Sequence, residues 1–324
     1  MKTKLLSVGA ALCASTAIAQ TPTLNVLTYD SFTSEWGPGP AIEQAFEAEC
    51  GCDLVFTGAG DGAALLARLQ LEGTRTDADV VLGLDTNLTA AARATGLFAP
   101  HGVTADFTLP VDWEDDTFLP FDWGYLAFVA NRDTPPVASF RALADSDLKI
   151  VIEDPRSSTP GLGLLMWVHA VEGDNAGQVW ADLADNIVTV TPGWTEAYNL
   201  FLEGEADAVL SYTTSPAYHL IAEEDDSKTA WAFDAGNYLQ VEVAAKVAGT
   251  DQPALADRFM AFIASAPFQE VIPETNWMYP ATEVTLPAGF DTLTVPSKGL
   301  LLSSEDAAAL RDDLVETWRT ALSR

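Results

Sequence analysis

The sequence predicts an α/β protein of two lobes with a ligand cleft between them. Three observations carry this reading. Strand-like and helix-like segments alternate along the chain, the pattern of sheets whose strands are joined by helical crossovers. The 324 residues, less an N-terminal leader, exceed what one compact core usually holds, so two lobes are expected. No internal repeat, low-complexity tract or flexible linker separates the halves, so strands are expected to cross between lobes and form a hinge.

Residues 1–19 read as a secretory signal peptide. Lys2 and Lys4 give a positive start, Leu5 to Leu12 an apolar stretch too short for a bilayer, and Ala17-Ile18-Ala19 a small-residue cleavage site. A buried N-terminal helix is the competing reading. Leu12 stands before Cys13 where lipoprotein processing takes a small residue, so a free soluble protein beginning near Gln20 is expected. No later stretch approaches about 18 uninterrupted apolar residues.

Leu24 to Tyr29 then reads as the opening strand, and Pro40 sits at a helix start with Ile42, Ala45 and Phe46 on one face. Asp61 is placed to cap a second helix, whose Leu65, Leu66 and Leu69 form an apolar stripe before Gly73. Asp79 to Leu84 is a short strand, and Asn87 is expected to cap the next helix. Gly124 to Ala130 reads as a strand and Phe140 to Leu143 as a short helix. Ile150 to Ile152 is a strand ending at Asp154-Pro155, and Ser158-Thr159-Pro160 opens a helix toward Val171. Ile187 to Val190 and Ala208 to Tyr212 are strands around a helix from Thr195 to Leu202. Tyr238 to Val247 is a long β-run that returns the chain to the first lobe, and helices near Pro253 to Ala264 and Glu305 to Leu322 follow. The expected division is residues 20–125 and 238–324 in the first lobe and residues 126–237 in the second.

Charge narrows the choice of partner. The full chain carries −31; without Lys2 and Lys4, 14 basic residues face 47 acidic ones, or −33. Such a surface repels nucleic acid and anionic lipid. A salty habitat and a demand for solubility account for it equally well. Beyond the leader the cysteines are Cys50 and Cys52, separated by Gly51. In an oxidising compartment each has the other as its available partner, and Gly51 permits the bend a disulfide at that step needs; two free thiols are the other reading. No metal site is expected, because two sulfurs without nearby histidines do not complete a tetrahedron.

Enzyme signatures are missing. There is no phosphate-cradling loop ending in Gly-Lys-Ser or Gly-Lys-Thr, no histidine pair at metal-ligand spacing and no Gly-x-Ser-x-Gly elbow. Gly161-Leu162-Gly163 lacks the third glycine of a dinucleotide fingerprint, and His101, His169 and His219 are scattered. Neither a catalytic residue nor a cofactor is expected.

Aromatic and polar residues instead gather where strands give way to loops, the positions that line the cleft of open α/β sheets. Tyr29 ends the first strand with Trp36 just beyond; Asp61 precedes its helix; Trp194 follows Thr191-Pro192-Gly193. Tyr212-Thr213-Thr214-Ser215 ends another strand with Tyr218 close behind, and Trp277 sits in the loop Asn276-Trp277-Met278-Tyr279. Ordinary packing explains any one of these rings; their collection in loops does not look like core. Aromatic walls with carboxylates suit a flat cation, each desolvated contact contributing on the order of 2 kcal/mol. Ser158 and Thr159 are either a helix cap or an anion site, and the two are compatible. Arg156, two residues earlier, reads equally as an inward-turned contact or a surface residue.

YDSFTSEWGPGP from Tyr29, DVVLGLD from Asp79, DPRSSTPGLGLL from Asp154, VLSYTTSPAYH from Val209 and NWMYP from Asn276 resemble the thiamine-binding family of type II periplasmic substrate-binding proteins, over nearly the whole mature chain. The resemblance implies two α/β lobes with the ligand between them, a periplasmic location, and delivery to the permease and ATPase subunits of an ABC importer. It implies thiamine as ligand, with thiamine monophosphate and diphosphate also bound, by a monomer. The matching ligand positions are Asp61 and Gly62, Ser158 and Thr159, Trp194, and Tyr212 through Ser215, with Tyr29, Trp36, Tyr218 and Trp277 as aromatic walls. Asp61 either accepts a hydrogen bond from the ligand amino group or offsets the ring charge. The glutamate often found just before that aspartate is Gly60 here.

Two rivals share the architecture. A ferric-ion carrier would use Tyr212 and Tyr218 as phenolates, with His219 beside them, and has no need of the tryptophan set. A thiamine-cleaving enzyme would need an activated cysteine thiolate and a base in the cleft.

Overall fold

Residues 21–323 are described by the computed structural model; the signal peptide read over residues 1–19, with Cys13, lies outside the described residues. The chain opens with β1 (Thr23–Thr28), α1 (Asp30–Thr33) and α2 (Gly39–Cys50), whose Pro40 occupies the first turn. β2 (Asp53–Gly58), α3 (Gly62–Glu72) and β3 (Val80–Asp85) complete the first crossovers. Leu65, Leu66 and Leu69 of α3 are buried, each worth about 2 kcal/mol of apolar burial. α4 (Thr89–Ala94) and β4 (Phe98–Ala99) follow. The expected cap of α4 is corrected here: Leu88 holds the N-cap position, and the Asn87 amide instead donates to Asp85 Oδ2 at 3.0 Å.

β5 (Phe118–Asn131) runs through 14 residues and leads to α5 (Phe140–Ala144), β6 (Ile150–Glu153) and α6 (Thr159–Glu172). α7 (Ala176–Leu183), β7 (Ile187–Thr191), α8 (Trp194–Leu202), β8 (Ala208–Tyr212), α9 (Pro216–Ala222) and β9 (Lys228–Ala230) fill the middle of the chain. β10 (Asn237–Val247) then returns, followed by α10 (Pro253–Ile263), α11 (Ala266–Gln269), α12 (Ile272–Thr275), β11 (Tyr279–Pro280), β12 (Gly299–Leu300) and α13 (Ser304–Leu322).

The main strands lie in the order β2-β1-β3-β10-β5-β8-β6-β7. β1 is parallel to β2 and β3, and β6 is parallel to β7 and β8, as helical crossovers require. The centre is antiparallel: β10 pairs so with both β3 and β5, and β5 with β8. The first part of β5, through Tyr125, pairs with β10; from Leu126 onward it pairs with β8. A single strand therefore carries the chain from one half of the sheet to the other.

β5 begins six residues before the strand read from the sequence, because Pro120 and Asp122 argue against a ladder. The register slips between Glu242 and Val243, which pair with Asp122 and Pro120, so Phe121 is accommodated as a bulge. Each half has its own ring core. Phe46 lies 5.0 Å from Phe259 and 5.1 Å from Phe262 in the first, and Phe140 lies 4.9 Å from both Trp167 and Phe233 in the second.

Candidate functional site

A cleft of about 480 Å³ opens where the two halves of the sheet meet, a size suited to a small organic molecule. Tyr29, Trp36, Asp61, Asn276 and Trp277 form one wall; Thr159, Trp194, Tyr198, Tyr212, Ser215 and Tyr218 form the other; Glu242 of β10 is exposed to it from the sheet. Among the described residues, no Lys, Arg or His lines it.

The rings are placed by strand ends and first helical turns. Tyr29 follows β1, and its ring lies against Gly83: a Cβ there would come within 2.1 Å of Tyr29 Cδ1. Trp194 opens α8, stacks on Tyr198 at 4.9 Å and donates its indole N–H to Ser211 Oγ at 2.8 Å. Ser211 in turn meets Ser215 Oγ at 2.7 Å, so a strand-end serine pair fixes the indole plane. Trp277 holds φ at 55°, a left-handed backbone that a bulky side chain rarely adopts, and its N–H closes α12 on Ile272 O at 3.0 Å. Rings from the two walls approach each other, Trp36 to Trp194 at 6.4 Å and Tyr218 to Trp277 at 5.5 Å.

A polar network underlies the rings. Tyr29 OH donates to Glu242 Oε2 at 3.0 Å, and the Asn276 amide donates to Tyr29 OH at 2.9 Å and to Asp122 Oδ2 at 2.6 Å. The Gln240 amide donates to Glu242 Oε1 at 3.1 Å and to Tyr212 OH at 2.8 Å. Burial, then the Asp122 carboxyl, pushes the Glu242 acid well above the usual carboxylate range, and burial lifts Asp122 to about 7.

Asp61 stands at the N-cap position of α3 without capping it. Its Oδ2 instead accepts the Trp194 backbone N–H at 3.1 Å, at the positive end of α8. Burial raises this acid to about 6 against the lowering effect of hydrogen bonds from Ser158 and Trp194. Gly62 explains the approach: a Cβ there would lie 2.5 Å from Thr159 Cγ2 and 2.3 Å from Gly83 O.

Nine of the residues singled out from the sequence line the cleft: Tyr29, Trp36, Asp61, Thr159, Trp194, Tyr212, Ser215, Tyr218 and Trp277. Gly62, Ser158, Thr213 and Thr214 are buried behind it. Ser158 Oγ accepts the Gly161 N–H at 3.4 Å as a helix cap, and Thr214 Oγ1 meets Met278 Sδ at 3.7 Å. Arg156 turns to an exposed ion pair with Asp154 and lies over the Trp318 ring at 5.8 Å. Cys50 and Cys52 are bonded to each other at the end of α2, with Cα atoms 5.2 Å apart, and no cysteine among the described residues lines the cleft. Burial first, then Glu242, Asp61 and Asp122, push the Tyr212 hydroxyl well above its ordinary range, against the phenolate a ferric site needs. Tyr218 OH is bound to Glu223 Oε1 at 2.7 Å and His219 Nε2 to Tyr198 OH at 3.0 Å.

Tyr198, Glu242, Asn276 and Asp122 escaped the sequence reading as site residues. Tyr198 sits mid-helix on an apolar stripe. Glu242 and Asp122 lie inside strand runs where an acid normally marks the solvent face. A usable signal was present in YLQVEVAA: Gln240 and Glu242 alternate with valines in a strand buried on both faces.

Comparison with known proteins places these features. The family model described as bacterial extracellular solute-binding protein matches residues 39–275. The chain is 52% identical over 318 residues to a thiamine-binding periplasmic protein of Escherichia coli (strain K12), covering 97% of each. A solved structure of a periplasmic thiamin binding protein is similar with a TM-score of 0.93 at 50% identity, covering 99% of this chain and 100% of that one. A ferric binding protein from Campylobacter jejuni, with a TM-score of 0.74 at 18% identity over 92% of this chain and 99% of its own, shares the fold alone.

Proposed function

Since the chain belongs to the bacterial extracellular solute-binding proteins, and within them to the thiamine-binding periplasmic proteins, we infer that its cleft captures thiamine in the periplasm and presents it to an ABC importer. One observation carries the reading from the site itself: seven aromatic rings and the carboxyls of Asp61 and Glu242 face a cleft that no basic residue lines among the described residues. Thiamine joins a flat aminopyrimidine to a permanently cationic thiazolium. Rings stack on the flat faces, and the ring quadrupoles and carboxylates favour the positive charge. Each desolvated cation–π contact is worth about 2 kcal/mol.

Capture works by closure in this reading. The lobes divide near residues 125–126 and 237–238, where β5 changes partner and β10 begins, and they pivot on those two strands. Closing brings Trp194 and Tyr218 to Trp36 and Trp277 and excludes water from the ligand. The protein binds and releases its ligand unchanged, as a monomer, and the closed form is what the permease and ATPase subunits of the importer receive. Thiamine monophosphate and diphosphate bind as well, with the ester phosphate directed to the first turn of α6, where Thr159 and Pro160 line the cleft.

Titration calorimetry against thiamine, its monophosphate and its diphosphate tests the whole reading. Saturable one-to-one heats are expected for all three. Absence of binding by thiamine would overturn it, and absence of binding by the esters alone would restrict it to the free vitamin.

A further inference from the structure

Asp122, Glu242 and Asp85 stand in one row across three adjacent strands: Glu242 is the register partner of Asp122 on β5 and of Asp85 on β3. All three are buried, and like charges directly opposite one another destabilise a sheet. Asp85 is satisfied locally, accepting from the Asn87 backbone N–H at 3.1 Å and its amide at 3.0 Å. The other two carboxyls are buried and stand directly opposite one another across the β5–β10 ladder, and two carboxyls can bond to each other only with a proton between them. Asp122 Oδ1 is buried and finds no N–H or hydroxyl donor, so a shared proton is the donor available to it.

The groups around Glu242 are Tyr29 from the end of β1, Asp85 from β3, Asp122 from β5, Tyr212 from β8, its own strand neighbour Gln240, and Asn276 after α12. None carries a positive charge. The raised pKa values of Asp122 and Glu242 follow from that arrangement, since burial and mutual repulsion both penalise the doubly ionised pair. Glu242 nevertheless opens onto the cleft, with Tyr29 OH fixing its Oε2.

We propose that Glu242 and Asp122 form a one-proton acid pair that selects for positive charge: the pair holds its shared proton while the cleft is empty and gives it up to bulk water when a cationic ring takes its place. The proposal rests on the reading of the cleft as a thiamine site and deepens it. The exchange balances, one positive charge entering and one proton leaving. It also discriminates, because an uncharged ligand of the same shape cannot displace the proton.

The test measures proton release by calorimetry of thiamine binding near neutral pH in buffers of different ionisation enthalpy. A neutral thiamine isostere, with the thiazolium replaced by an uncharged five-membered ring, serves as control. Proton release is expected with thiamine and not with the isostere. Glu242→Gln should abolish that release and weaken thiamine by about tenfold to a hundredfold, while the isostere binds the variant as well as it binds the wild type. Asp122→Asn should also abolish the release, and comparison of the two variants' melting curves with the wild type checks folding. Wild-type release needs no variant: if thiamine binds and no proton leaves, the proposal is wrong. Equal losses for thiamine and the isostere in Glu242→Gln would also overturn it. Failure of thiamine to bind the wild type at all would instead overturn the functional reading beneath it.

Discussion

The Asp61 carboxylate meets the Trp194 backbone N–H at 3.1 Å, joining the start of α3, which packs on β3, to the first turn of α8, which packs on β6 and β8 across the sheet. An acid on the positive end of a helix is favourable, and here the acid and the helix come from opposite sides of the cleft. We propose that Asp61 acts as a latch as well as a counter-charge. Asp61→Asn keeps the shape and removes the charge; it should weaken thiamine binding by about 1–3 kcal/mol. Small-angle scattering should show the ligand-free variant more extended than the wild type. Unchanged scattering together with unchanged affinity would remove Asp61 from both roles.

Acidity links the site to stability. Asp61 is lifted to about 6, Asp85 and Asp122 to about 7, and Glu153 and Glu242 well above the carboxylate range, burial being the largest cause for each. A carboxyl whose folded-state value lies above its unfolded value binds protons more tightly when folded. Its stabilising effect is complete below the ordinary carboxylate value and is lost as pH rises through about 6 to 7. The melting temperature of the empty protein should therefore rise as pH falls from about 8 to about 5. Thiamine favours the ionised acids, so the shift in melting temperature it produces should be larger at the high end of that range. A flat profile for the empty protein would show that these acids are ionised without strain.

Much of this was legible in the sequence because it lives in short-range patterns. Alternating strand and helix signals gave the α/β class, and six rings with three polar residues, gathered where strands and helices give way to loops, gave nine of the cleft residues. What was hidden depends on which strands meet. Asp122 lies in FLPFDW, where Pro120 argues against a ladder, and its pairing with Glu242 is settled by a bulge between distant segments. The antiparallel centre of the sheet was likewise invisible to an argument from crossovers. Asp61 reads from sequence as a cap for α3; only the approach of α8 shows that its oxygen is taken across the cleft.

Trp277 offers a separation of binding from stability. Its φ of 55° is costly for an aromatic residue and is expected to hold the ring over the cleft mouth, 5.5 Å from Tyr218. Trp277→Ala and Trp277→Gly should both weaken thiamine by about 1–3 kcal/mol through lost stacking. Glycine adopts that backbone freely, so the Gly variant should melt higher than the Ala variant when empty. The reverse order would mean that the left-handed turn carries no strain.

The last prediction separates two adjacent hydroxyls. Ser158 is fully buried and caps α6 through the Gly161 N–H, whereas Thr159 lines the cleft. The protein's charge of −31 is screened beyond about 8 Å at physiological salt, so local groups decide how a phosphate ester fares. Ser158→Ala removes a cap and should cost about 1 kcal/mol of stability. Because Ser158 is buried behind the cleft and does not line it, that variant should affect thiamine and its esters to a similar degree. Thr159→Ala leaves the cap in place and takes a hydroxyl from the helix end that faces the cleft. It should weaken the monophosphate and diphosphate by about tenfold relative to thiamine. Calorimetry with the three ligands on both variants reads this directly. If Thr159→Ala costs thiamine and its esters equally, Thr159 holds the body of the molecule and the ester phosphate lies elsewhere, the first turn of α8 being the next helix end on the cleft.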